Sequence, residues 1–138
     1  MIGYVTLGSD DLQLAEAFYS KFLLRLGYHL EISGEGLSYS LPAAPGQPTE
    51  SPDFYVKPPH DGKPASVGNG MMVAFQVPSQ QMVRELHSVA LVAGGQNEGD
   101  PGFRAAYSEH FYVGYLRDPQ GNKIALFSNS KNEPKRPD

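Results

Sequence analysis

The sequence predicts an α+β domain built from two tandem β-α-β-β-β modules that form a curved mixed sheet around a shared concave cavity. Three observations carry this: an apolar pattern recurring at an offset of 68 residues, a strand, turn and helix order within each copy, and strand patterns after each helix. A repeat fixes architecture before any single element does.

Tyr4-Val5-Thr6-Leu7 aligns with Met72-Val73-Ala74-Phe75, and the alignment runs without a gap to Gly27 against Gly95. Val5 and Leu7 stand against Val73 and Phe75, Leu14 against Met82, Phe18 against Leu86, Phe22 against Ala90 and Leu23 against Leu91.

In chain order, Tyr4 to Leu7 is an alternating strand with β-branched and aromatic residues. Ser9-Asp10-Asp11 then supplies turn and cap, and Leu14, Phe18, Phe22 and Leu26 repeat at helical spacing until Gly27 stops the helix. Strand patterns follow at 29–33, 36–41 and 53–57. The stretch 42–52, with proline at 42, 45, 48 and 52, is a surface excursion, and 57–70 connects the halves. Both loops are candidate lids over a site.

The second copy repeats the plan. After the strand at 72–75, Pro78-Ser79 caps a helix carrying Met82, Leu86 and Ala90, and Gly94-Gly95 ends it. A weak strand lies near Gln96, and stronger ones span 111–117 and 122–129. Asp118-Pro119-Gln120-Gly121-Asn122 between these two is a hairpin signal, with proline preset for a tight turn and glycine for a positive φ. The expected division is one domain over 1–130, with module one about 1–57, linker 58–67 and module two about 68–130. Residues 131–138 are expected to be a flexible tail.

Composition narrows the function classes. A chain of 138 residues with 40% apolar and 19% charged residues has room for one hydrophobic core. The net charge of −4, without a basic cluster before the tail, offers no footprint for nucleic acid or an anionic membrane. With no cysteine, thiol chemistry and zinc-thiolate sites are excluded. The start, MIGYVTLGSDD, has no basic signal-peptide region, and no apolar run approaches ~18 residues. A soluble cytoplasmic protein is expected.

If Val5, Leu7, Val73, Phe75, Ile124 and Leu126 pack on the helices, alternation sends Tyr4, Thr6, Met72, Ala74, Gln76, Ala125 and Phe127 into the cavity. That lining is aromatic, apolar and nearly uncharged.

The segments YVTLGSDDLQLAEAFYSKFLLRLGY, GNGMMVAFQV and FYVGYLRDPQGNKIALF resemble the vicinal oxygen chelate superfamily of glyoxalases, bleomycin-resistance proteins and extradiol dioxygenases. The resemblance spans nearly all of 2–129, and its most specific parts are Ala17-Phe18-Tyr19 and the run from Asp118 to Ile124. It implies paired β-α-β-β-β modules and, in many members, a homodimer. In the family's metalloenzymes a His on each first strand and a Glu on each last strand hold the ion. The matching positions here are Tyr4, Met72 and Ala125, with the fourth on the strand at 53–57, where Tyr55 is the inward candidate. A phenol, a thioether and a methyl group do not replace imidazole and carboxylate ligands. The resemblance therefore implies no metal ligand and no cofactor.

Other candidates are scattered. His29, His60, His87 and His110 show no metal-ligand spacing. His29 opens a strand and His87 is a helix residue, whereas His60 and His110 could reach the cavity mouth as proton carriers. Arg104, in PGFRAAYSEH, could clamp a carboxylate or phosphate. Tyr39, Tyr55, Tyr107, Tyr112 and Tyr115 offer stacking faces with polar tips, which suits a flat ligand, although core packing explains at least half of them equally well.

The ligand-binding set expected on these grounds is Tyr4, Thr6, Tyr55, Met72, Ala74, Arg104, His110, Tyr112, Ala125 and Phe127, with no catalytic residue assigned. The leading reading is a metal-independent protein binding a small, partly apolar or aromatic molecule. One alternative is a lactoylglutathione-lyase-like or other lyase, isomerase or dioxygenase enzyme, metal-free or with a divalent metal held by residues such as His60, Glu109 and His110. A second is a non-catalytic scaffold with a filled cavity.

Overall fold

The computed structural model describes residues 1–48 and 50–138. Module one runs β1 (Tyr4–Gly8), α1 (Leu12–Leu23), β2 (His29–Ser33), β3 (Gly36–Ser40) and β4 (Asp53–Lys57). Module two runs β5 (Val73–Gln76), α2 (Gln80–Val92), β6 (Gln96–Phe103), β7 (Tyr112–Arg117) and β8 (Lys123–Ser128). The β-α-β-β-β repeat is thus present, and the fold is α+β.

The helix ends follow local chemistry. Asp11 caps α1 by accepting the Leu14 N–H at 3.0 Å, and Ser79 caps α2 by accepting that of Met82 at 3.1 Å. Gly27 (φ +92) and Gly94 (φ +109) terminate the helices in the left-handed region, where Tyr28 N–H reaches the Leu23 carbonyl. Ala15, Phe18, Tyr19, Phe22 and Leu23 form the buried face of α1, whereas Leu14, expected on that face, is exposed. On α2 the matching face is Val83, Leu86, His87 and Ala90.

The curved sheet arrives as two four-stranded mixed sheets, ordered β1-β4-β3-β2 and β5-β8-β7-β6. The pair at one edge of each is parallel, β1 with β4 and β5 with β8, and the rest are antiparallel. The edges β1 and β5 do not pair with one another. Side chains close the seam instead: Phe75 meets Phe22, Tyr28 and Phe54 at ring-centroid distances of 5.8, 6.2 and 5.2 Å. Buried residues of both modules form one cluster on the helix side, and α1 contacts α2.

Three departures from the sequence expectation bear on function. The weak strand near Gln96 is an eight-residue β6 whose pairing with β7 shifts register twice, around Gly99 and Gly102. His87 is buried, bonding the Tyr115 carbonyl at 3.1 Å. The tail expected to fray is docked. Glu133 accepts the Gln80 N–H at the start of α2 at 2.9 and 3.0 Å, and Arg136 Nη1 reaches the carbonyls of Arg104, Ala105 and Tyr107 at 2.7, 3.3 and 2.9 Å. No helix among the described residues is long and apolar enough to cross a membrane.

Candidate functional site

Each sheet has one face on its helix and one open face. Register places Tyr4, Thr6, Asp53 and Tyr55 together on the open face of module one, with Ser38 opposite Tyr55. On module two the open face carries Ala74, Gln76, Val113, Tyr115, Arg117, Lys123, Ala125 and Phe127.

Module one keeps its open face largely bare. Tyr4 is 66% exposed, its ring 5.5 Å from that of Tyr55. The Tyr55 hydroxyl donates to Asp53 at 3.2 Å, and Lys57 Nζ stands 4.9 Å from the Tyr55 ring centre. Thr6 is exposed beside them. The expected shared cavity shrinks to a cleft of about 310 Å³ at the seam. Ile2, Val5, Asp53 and Phe54 contribute to it from module one, and Met72, Ala74 and Phe75 from module two. Of the expected ligand set only Met72 and Ala74 line this cleft, because the edges β1 and β5 leave a gap there rather than a ladder.

Module two is covered by its own segment between β6 and β7. Phe111 stacks on Phe127 at 5.2 Å with an interplanar angle of 26°, and Tyr107 meets Phe111 edge-on at 5.4 Å. Ala125 is therefore buried although it faces the open side, and so is Val113. Tyr115 sits between two cations, Arg104 at 5.3 Å and Lys123 at 5.2 Å from its ring centre. Burial raises the Tyr115 phenol above its ordinary value, and Tyr107 adds to the rise while Arg104 opposes it.

Two residues of the expected set have partners within the fold. Tyr112 lies on the helix-facing side, where its hydroxyl accepts from Arg84 at 3.2 Å and Phe103 packs edge-on at 5.1 Å. It shares that side with Gly114 and Leu116, so strand alternation turns it away from the open face. Arg104 lies over the open face, but its guanidinium donates to the carbonyls of Asp100 at 2.8 Å and Phe103 at 3.2 Å, holding the irregular end of β6. The cationic character expected of Arg104 is shared with Arg117 and Lys123, which the sequence reading passed over. Lys123 stands two residues before Ala125 on the same strand face, and alternation alone would have found it.

His110 places Nε2 at 3.8 Å from Glu109, while its Nδ1 is buried without a hydrogen-bond partner among the described residues. His60 is exposed in the linker. No three His, Asp or Glu side chains gather into a metal-holding group among the described residues, so His60, Glu109 and His110 do not make one. Tyr4, Met72 and Ala125, at the positions matching the family's ligands, do not fit a divalent ion.

No family model matches the sequence, and no curated protein matches it. Solved structures do. A glyoxalase/bleomycin resistance protein from Albidiferax ferrireducens T118 is 31% identical, with 94% of this chain and 99% of that one covered at a TM-score of 0.80. A glyoxalase-related enzyme from Fulvimarina pelagi shares 20% identity over 94% and 88% of the two chains at a TM-score of 0.70. A glyoxalase/bleomycin resistance protein/dioxygenase family enzyme from Burkholderia phytofirmans PsJN shares 18% over 93% and 98% at 0.68. Identity of 31% over almost the full length of both chains, on the same paired-module fold, means that this chain belongs to the glyoxalase/bleomycin resistance protein family.

Proposed function

We propose that the chain binds a small, partly apolar or aromatic molecule at the open faces of its sheets, without a metal ion, as a cytoplasmic homodimer. The observation that carries this reading is the bare aromatic and apolar surface around Tyr4, Tyr55 and the seam cleft, where Tyr4 and Met72 remain 66% and 43% exposed. A cleft of 310 Å³ matches the small end of ligand sites, roughly 300–1,000 Å³. The outer edges of β1 and β5, unpaired in the two sheets, and exposed Ile2, Met71 and Met72 support a second copy at the seam.

Thermal-shift titration against aromatic and carboxylate metabolites tests binding, with Tyr4→Ala as the control that lowers the response. No shift from any compound would remove this reading. It would favour the scaffold reading, which draws support from Phe111 already lying on Phe127. A stoichiometric divalent ion in protein purified without chelators, or glyoxalase turnover on adding nickel or zinc, would favour the enzyme. Sedimentation gives the oligomeric state.

A further inference from the structure

A groove of about 700 Å³ runs between the linker at 67–72 and the β7–β8 hairpin, and Arg117 and Lys123 form its charged wall. The two are direct cross-strand partners. Like charges so placed repel unless something neutralises them. Among the described residues Glu98 is the carboxylate that pairs with one of them. It takes the Arg117 Nε–H at 2.8 Å, and this bond, with Lys123 adding its charge, holds Glu98 below its ordinary value.

Lys123 itself forms no ion pair among the described residues. Its ammonium rests over Tyr115, whose ring also meets Arg104. Arg104, Arg117 and Lys123 thus gather on one sheet face, and among the described residues the one ion pair they form is Arg117 with Glu98, in a chain of net charge −4. On the opposite wall Gly68, Asn69 and Gly70 add backbone and no carboxylate.

We propose that this groove is an oxyanion site, taking a carboxylate or phosphate group, with Lys123 as the principal ligand and Arg117 as the second. Glu98 competes with the anion for Arg117. The groove shares Met72 with the seam cleft, but its anion-binding groups, Lys123 and Arg117, lie outside the aromatic surface around Tyr4 and Tyr55, and the site stands or falls on its own test.

The test is amide NMR titration with inorganic phosphate and, separately, benzoate, at ionic strength held constant with sodium chloride. The expected result is a saturable shift at residues 68–72 and 117–123 from at least one anion, and the stronger responder identifies phosphate or carboxylate as the preferred group. Lys123→Met weakens binding by about tenfold or more, the loss expected for one charge-assisted contact, and Lys123→Arg restores most of it. Glu98→Gln strengthens binding, because it removes the charge that competes for Arg117, whose Nη1 still donates to the Gly121 carbonyl at 3.0 Å. A general disturbance of the hairpin would weaken binding instead, so this gain is diagnostic. Absence of a saturable shift by about 20 mM of either anion, far above a 1 mM dissociation constant, would overturn the site. So would undiminished binding in Lys123→Met or weaker binding in Glu98→Gln.

Discussion

Replacing Tyr19 with phenylalanine removes one hydroxyl from the centre of the molecule and tests what joins the modules. That hydroxyl donates to the Asp118 carboxylate at 2.6 Å, between side chains 0% and 3% exposed. Asp118 keeps other donors, namely the N–H groups of Gln120 and Asn122 and the Asn122 side-chain amide, each at 2.9 Å. The variant does not strand the carboxylate. Its cost is one hydrogen bond to a charged group, about 1.5–3 kcal/mol. With an unfolding entropy of about 2.1 cal/mol/K per residue over 138 residues, the melting temperature falls by about 5–10 °C.

Alkaline pH supplies a second readout. Burial, and then the Asp118 charge, raises the Tyr19 phenol well above 10.0. The unfolded chain loses this proton from about pH 10 while the folded chain keeps it, so the folded state binds more protons and stability falls as pH rises. Tyr39, pushed up to about 12 by burial, adds a similar fall that the variant retains. Urea unfolding from pH 7 to 11 should show a weaker Tyr19→Phe protein whose alkaline decline is shallower than wild type. A neutral-pH loss below about 0.5 kcal/mol, the range of an ordinary surface change, or an unchanged alkaline slope, would refute the argument.

Phe75→Ala opens the seam and should cost about 3–5 kcal/mol in denaturant unfolding; a smaller loss would mean that the modules are not held by that ring. Gly95→Ala would bring a Cβ to 2.6 Å from Phe18 and 2.9 Å from the Ala90 carbonyl, and the expected loss is about 1–3 kcal/mol by thermal melting. Arg136→Ala should speed amide exchange across residues 104–109 by mass spectrometry without altering that of α1, and uniform exchange along the chain would contradict the docking of the tail.

Beyond the repeat at an offset of 68, which carries the paired modules, what is legible in the sequence is local. Asp11 and Ser79 cap their helices, Gly27 ends the first, and Asp118 to Asn122 turns the hairpin, each through bonds spanning five residues or fewer. What was not legible depended on distant partners. The strand near Gln96 reads as weak, because its GDPG has little strand propensity and pairs with β7 only through two register shifts. The polar tail reads as frayed because its partners lie far back in the chain, 29 residues for Arg136 with Tyr107 and 53 for Glu133 with Gln80. Tyr112 was misplaced for a different reason: Phe111, Val113 and Tyr115 alternate with Tyr112 and Leu116, so both faces of β7 are apolar and period-two contrast vanishes. Arg104 looked free because the carbonyls it satisfies belong to that same irregular strand.

The buried junction at Asp118 also governs how the protein opens. Tyr19 of module one donates to it, and Asn122 beside it donates to the Gly8 carbonyl at 3.0 Å, so hairpin and first helix are fastened across the seam. His87, the repeat counterpart of Tyr19, bonds only within its own module, which leaves the fastening one-sided. Neither half can loosen without breaking these bonds and exposing the common cluster. Native-state hydrogen exchange should therefore return a single opening free energy for the cores of α1 and β8, because the duplicated pattern of the sequence is one foldon, not two.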